Sequence, residues 1–334
     1  MRRREVISLI GGAAAWPLVV HAQQSERMRR IGILMLFAED DLAAKPRIAA
    51  LIEGLQQLGW TVGRNLQVDI RWGATDAVRS RRYAAELVAL APDVVLAGAS
   101  EATAALREAT RTVPIVFVGV TDPVGGGYVA SLARPGGNAT GLSYVEYGMG
   151  GKWVELLKEI APRVTRAAVL RDPTLPAGIG LLGAIQSAAP SFGVETSPVD
   201  VRDASEIERV IVDFARKPNG GLIVVASPVA LLNRKLIIDV AANHRLPAVY
   251  FLKEFVKDGG LISYGADPVV QYKQAASYID RIFQGEKPAD LPVQAPTKYE
   301  LAVNLRTAKA LGLTVPPTLL VRACLLYTSD AADE

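Results

Sequence analysis

From Arg30 onward, short apolar runs alternate with stretches whose apolar residues recur every three or four positions. Ile31–Phe37 predicts a buried strand. Arg47–Leu58 carries Ile48, Leu51, Ile52, Leu55 and Leu58 at helical spacing and stops at Gly59. Leu66–Trp72 alternates as a strand, and Arg79–Leu90 is helical up to the breaker Pro92. Asp93–Ala97 and Pro114–Val118 are further buried strands around a helix over Ser100–Arg111. Continuous Val/Ile/Leu strands separated by helices predict a parallel sheet covered on both faces. The rhythm then restarts. Helices are expected over Gly148–Ala161, Ile179–Phe192, Ala204–Arg216, Asn233–His244 and Val269–Phe283. Strands are expected over Arg166–Leu170, Gly221–Val225, Ala248–Phe251 and Leu261–Tyr264. The expected fold class is α/β, with two Rossmann-like lobes built on parallel sheets.

Composition narrows the chemistry. The chain has 334 residues, 50% hydrophobic and 21% charged, which is ordinary for about two globular domains. A net charge of +3 with no internal basic run gives no nucleic-acid footprint. One Cys excludes an internal disulfide and any CxxC metal site, and two His exclude a His-rich zinc site. No Gly-x-Gly-x-x-Gly follows the first strand, and neither a Walker motif nor a Gly-x-Ser-x-Gly elbow is present. His244 lies at a helix end beside Arg245, without a partner for acid–base work. No cofactor, no metal and no catalytic residue is therefore expected.

The two ends differ from the body. Arg2–Arg4, the mostly apolar Val6–Val20 and the small residues of Val20-His21-Ala22 have the layout of a secretory signal cleaved near Ala22. Arg3-Arg4-Glu5-Val6-Ile7 also resembles the twin-arginine export pattern. Beyond it no uninterrupted apolar stretch of membrane-spanning length remains, so a periplasmic protein not embedded in the membrane is expected. Residues 324–334 resemble the translation of a sequencing-adapter sequence fused to the reading frame, which places the natural end near Ala323.

In open α/β sheets ligands bind beyond the carboxyl ends of the strands. The residues following the expected strands are short, polar and rich in Ser, Thr, Asp and Tyr. Ser100 and Thr103 open a helix whose free N–H groups suit a carboxylate. Thr121 and Asp122 suit an ammonium group. Ser143 and Ser227 are further strand-end hydroxyls, and Tyr144, Tyr250 and Tyr264 suit an apolar or aromatic ligand part. Singly, each has an ordinary structural explanation: Ser100 as a helix cap, Asp122 before Pro123 as a turn former, a strand-end Tyr as packing. Their joint placement is the informative feature.

Longer motifs carry a family resemblance. They include Ile115–Val118 with Thr121-Asp122-Pro123, Ala130–Asn138 with Thr140-Gly141, and Arg245–Tyr250. Gly259–Gly265, Gly285–Pro292 and Pro296–Leu301 through Pro317 continue the match. Taken together the chain resembles the periplasmic substrate-binding proteins of ABC transporters, in the tryptophan/tyrosine-type group. The resemblance implies a type I periplasmic-binding fold whose two lobes close on a small-molecule ligand and present it to an ABC permease. It implies three hinge crossings, near Gly141–Ser143, Gly265 and Pro296. The lobes would then be 28–142 with about 266–295, and 143–265 with about 296–323. It also implies a monomer and ligand contacts on Ser100, Thr121, Asp122, Ser143, Ser227, Tyr250 and Tyr264. A role in sensing rather than transport, or a cofactor-binding α/β enzyme, is the alternative.

Overall fold

The computed structural model describes residues 27–73, 76–144 and 146–327. The export-like segment and the last seven residues lie outside them.

The first sheet holds β1 (Arg29–Met35), β2 (Leu66–Trp72), β3 (Val94–Gly98), β4 (Ile115–Val120) and β5 (Ala139–Ser143). All pair in parallel, in the order β2-β1-β3-β4-β5. The connecting helices are α1 (Ala44–Gln57), α2 (Ala77–Ala89) and α3 (Ser100–Ala109). Because side chains alternate along a strand, each strand feeds two cores. Ile31, Ile33, Leu96, Val116 and Val118 pack with Leu51 and Leu55 of α1. Leu34, Val95, Ala97, Ile115 and Phe117 pack with Ala84, Leu87, Ala102 and Leu106 of α2 and α3. Burial on both faces explains why the strands read as continuous apolar runs.

The second lobe begins with α4 (Met149–Ile160), β6 (Arg166–Arg171), α5 (Pro176–Ala188), β7 (Glu195–Asp200) and α6 (Ala204–Ala215). It continues with β8 (Gly220–Val224), α7 (Pro228–Leu232), α8 (Arg234–Asn243), β9 (Ala248–Tyr250), α9 (Lys253–Lys257) and β10 (Ile262–Ala266). Helix α10 (Pro268–Phe283) then returns to the first lobe, where it packs along α1 and under β4. The chain finally re-enters the second sheet as β11 (Tyr299–Asn304), followed by α11 (Leu305–Ala310), α12 (Pro317–Arg322) and β12 (Leu325–Tyr327). The second sheet runs β12-β11-β10-β9-β8-β6-β7.

Three features depart from the sequence expectation. The second sheet is not wholly parallel, since β11 runs antiparallel to β10. β5, β7 and β11 form where no strand pattern was legible. β7 is an edge strand with exposed Glu195, Ser197, Pro198 and Asp200, so it carries no apolar run. Leu325–Tyr327, within the adapter-like segment, pairs in parallel with β11.

The links between lobes are tied by backbone and side-chain hydrogen bonds. Ser143 N donates to Gln294 O at 2.9 Å, and Gln294 N donates to Gly141 O at 3.0 Å. Gln271 Nε2 donates to Ser143 O at 2.6 Å, and Tyr144 Oη donates to Phe251 O at 2.8 Å.

Candidate functional site

The carboxyl ends of β1, β3 and β4 face those of β8 and β9 across a cavity lined by both lobes. The first lobe contributes Leu36, Phe37, Arg47, Ser100, Thr121 and Gln271 among its lining; the second contributes Leu175, Ser227, Leu231, Phe251 and Leu252. The wall is largely apolar.

The chain bends sharply at the mouth of α3. Ala99 sits at φ 81°, ψ 175°, a backbone region that is essentially glycine's own. This turn directs Ser100 at the cavity. Gly98, one residue earlier, has no side chain, and a Cβ there would lie 2.6 Å from Tyr272 Oη. The missing Cβ lets α10 approach the strand end.

Of the residues singled out from sequence, Ser100, Thr121, Tyr144 and Ser227 line the cavity. Ser227 also caps α7, its Oγ accepting from Ala230 N at 3.1 Å. The others are placed differently. Thr103 is fully buried and its Oγ1 donates back to Ala99 O at 2.8 Å. Asp122 accepts from Gly125 N at 2.7 Å and from the hydroxyl of Tyr147, so both carboxylate oxygens are held by the protein. Ser143 is spent on the inter-lobe link, its Oγ donating to Gln294 O at 3.2 Å. Tyr250 stacks on Phe255 with ring centroids 4.7 Å apart. The strand pleat explains that swap: Tyr250 faces the core and its neighbour Phe251 faces the cavity. Tyr264 stacks on Tyr299 at 5.6 Å, and its carbonyl accepts from Trp153 Nε1.

The structure also brings in residues that the strand-end reading did not single out. Arg47, in the first turns of α1, is 5% exposed. Its guanidinium lies over the Phe37 ring at 4.5 Å, and Nη2 donates to Glu254 Oε1 of the second lobe at 3.0 Å. Gln271 and Tyr272 come from α10, far along the chain. Arg47 at the head of an apolar-periodic helix was the only available signal, and an Arg there reads as solvated.

Titratable groups respond to this burial. Glu101, in the first turn of α3, is pushed up to about 7 by burial, with the like charge of Asp172 in the second lobe adding to it. Burial raises the Tyr144 hydroxyl well above its ordinary range, helped by the charge of Glu254. Burial lifts Tyr128 to about 12, with Glu101 contributing. Among the described residues no cluster of His, Cys, Asp and Glu is arranged to hold a metal. No helix among them is long and apolar enough to cross a membrane.

The family model for ABC transporter substrate binding proteins matches residues 30–326. The chain belongs to that family. Its two-lobed, mostly parallel architecture is the type I periplasmic-binding fold, and the family binds substrates rather than converting them. A tyrosine-binding protein of Clostridioides difficile (strain R20291) is 25% identical over 295 residues, covering 86% of this chain and 82% of that protein. An ABC domain from Streptococcus pneumonia in complex with L-Trp superposes with a TM-score of 0.83 at 23% identity, over 89% of this chain and 99% of that one. A ligand-free, open substrate-binding protein from Clostridium difficile gives 0.69 at 22% identity, over 90% and 100%. The lobes of this family member meet across the cleft, through Arg47–Glu254, Asp122–Tyr147 and an Arg234–Asp41 pair at 3.9 Å.

Proposed function

We propose that this protein captures a small aromatic or amino-acid-like carboxylate between its lobes and delivers it to an ABC permease outside the cytoplasm. One observation carries the ligand class: a largely apolar cavity whose charged lining group, among the described residues, is the buried cation Arg47. Glu254 offsets part of that charge through Nη2, but Arg47 Nε keeps no protein partner, and a buried charged donor left so costs free energy unless a ligand acceptor meets it. Apolar walls from Leu175, Leu231, Phe251 and Leu252 suit an aromatic side chain. Hydroxyls of Ser100, Thr121 and Ser227 line the same space and supply further polar contacts. The tyrosine-binding relative and the L-Trp complex support an aromatic amino acid as the first ligand to try. The export-like N-terminus supports the extracytoplasmic placement.

The mechanism is lobe closure. A ligand touched by both lobes stabilises the closed arrangement by its differential affinity for it, and the closed form is what a permease reads. A thermal-shift screen against amino acids, aromatic carboxylates, purines and sugars tests the reading. A ligand at 100 times its Kd adds about 2.7 kcal/mol of stability. Response to aromatic amino acids or carboxylates is expected. Response only to neutral sugars or to purines would sink it.

A further inference from the structure

Two lining side chains, each more than nine-tenths buried, keep a polar atom without a protein partner. Arg47 is 5% exposed and Gln271 3%. In Arg47 the free atom is the donor Nε; in Gln271 it is the acceptor Oε1. Both belong to the first lobe, on helices α1 and α10 that pack against each other. On each side chain another polar group is held by the protein. Arg47 Nη2 is held by Glu254, and the guanidinium plane rests on Phe37. Gln271 Nε2 is held by Ser143 O at 2.6 Å, which settles the amide orientation and points its oxygen away from the hinge carbonyl. A buried donor or acceptor without a partner carries an uncompensated desolvation cost, larger for a charged group. Two such atoms, one cationic donor and one neutral acceptor, on side chains that line one apolar cavity, are matched by a molecule carrying an anion and a donor.

We infer that Arg47 and Gln271 form the receptor for the head group of an α-amino acid, Arg47 Nε donating to its carboxylate and Gln271 Oε1 accepting from its ammonium. Asp122, the acid that the sequence points to for the amine, is occupied by Gly125 N and Tyr147 and does not line the cavity. The first lobe thus reads the head group, while Leu175, Leu231, Phe251 and Leu252 of the second lobe cover the side chain. The pairing with Glu254 makes the head-group anchor part of the inter-lobe contact. The inference rests on the amino-acid-like carboxylate reading of the same cavity.

The test is titration calorimetry of the purified chain with L-tryptophan and L-tyrosine, their amides, and their des-amino propionates. The amide removes the carboxylate and the propionate removes the ammonium. In the native chain the amino acid is expected to bind at least tenfold more tightly than either analogue. Arg47→Gln should bring the acid-to-amide ratio to about one and leave discrimination against the propionate in place. Gln271→Leu should do the converse. A merely structural role would weaken all three compounds together and leave the ratios unchanged, which would overturn the inference. Should Arg47→Gln fail to fold, Arg47→Lys must still reduce the acid-to-amide ratio, because lysine lacks the Nε–H. Amino acids that bind with unaltered ratios in the variants refute the head-group assignment alone. If none of these compounds binds while a neutral sugar does, the carboxylate reading falls with it.

Discussion

Arg47 of α1 and Glu254 of α9 meet across the cleft, Nη2 to Oε1 at 3.0 Å, at the edge of the cavity that separates the two lobes. The side chains are only 6% and 18% exposed, so this is a desolvated ion pair rather than a surface one. Removing one partner of such a pair leaves a buried charge uncompensated, which is far costlier than losing an exposed salt bridge. The lobes have a way to avoid that cost, which is to open and rehydrate Arg47.

Glu254→Gln should therefore bias the protein toward the open form. Small-angle scattering without added ligand should show a larger radius of gyration than in the native chain, and a thermal melt should shift down. An unchanged scattering profile would mean that the pair does not hold the lobes.

Glu101 gives the protein a pH dependence with a defined sign. An acid raised from 4.5 to about 7 on folding binds its proton more tightly in the folded state. Stability then falls as pH rises across the window from about 4.5 to about 7. The full shift corresponds to about 3 kcal/mol at neutral pH and above. Urea unfolding of native and Glu101→Gln chains at pH 5 and pH 8 checks this. The variant should gain stability relative to the native chain at pH 8 and much less at pH 5. Equal differences at both pH values would remove Glu101 as the cause.

Tyr144→Phe keeps the ring against the cavity but deletes the 2.8 Å bond to Phe251 O. The same hydroxyl reaches Ala266 O at 3.4 Å, so its removal takes a donor from two carbonyls at the crossing between lobes. A loss of about 1–2 kcal/mol in denaturant stability is expected. A change below about 0.3 kcal/mol would show that the carbonyls are satisfied otherwise.

Ala99→Gly should stabilise the fold. At φ 81° an alanine carries strain of order 1–3 kcal/mol that glycine does not. The added chain entropy of glycine offsets about 0.4–1 kcal/mol. A net gain of about 1 kcal/mol is expected from urea titration, and a loss would mean that the turn is unstrained.

The α/β class and most helices and strands of the two lobes follow from local pattern. The strands of the first sheet are buried on both faces, so their composition announces them without any knowledge of neighbours. The edge strand β7, with its exposed Glu195, Pro198 and Asp200, has no such signature. It exists only because β6 offers it a ladder. The antiparallel return of β11 is likewise a property of the sheet, not of its own residues.

The site divides in the same way. Ser100, Thr121 and Ser227 were legible because strand ends and helix starts locate a cleft by topology alone. Which side chain faces that cleft was decided by the pleat, which turns Phe251 inward and Tyr250 away, and by packing, which ties Asp122 to Tyr147 across the lobes. Arg47 and Gln271 are separated by more than two hundred positions and lie on helices rather than at strand ends. Only the return of α10 onto α1 brings them to one cavity, because a contact between distant segments is set by the burial of both helices and leaves no local periodicity in either.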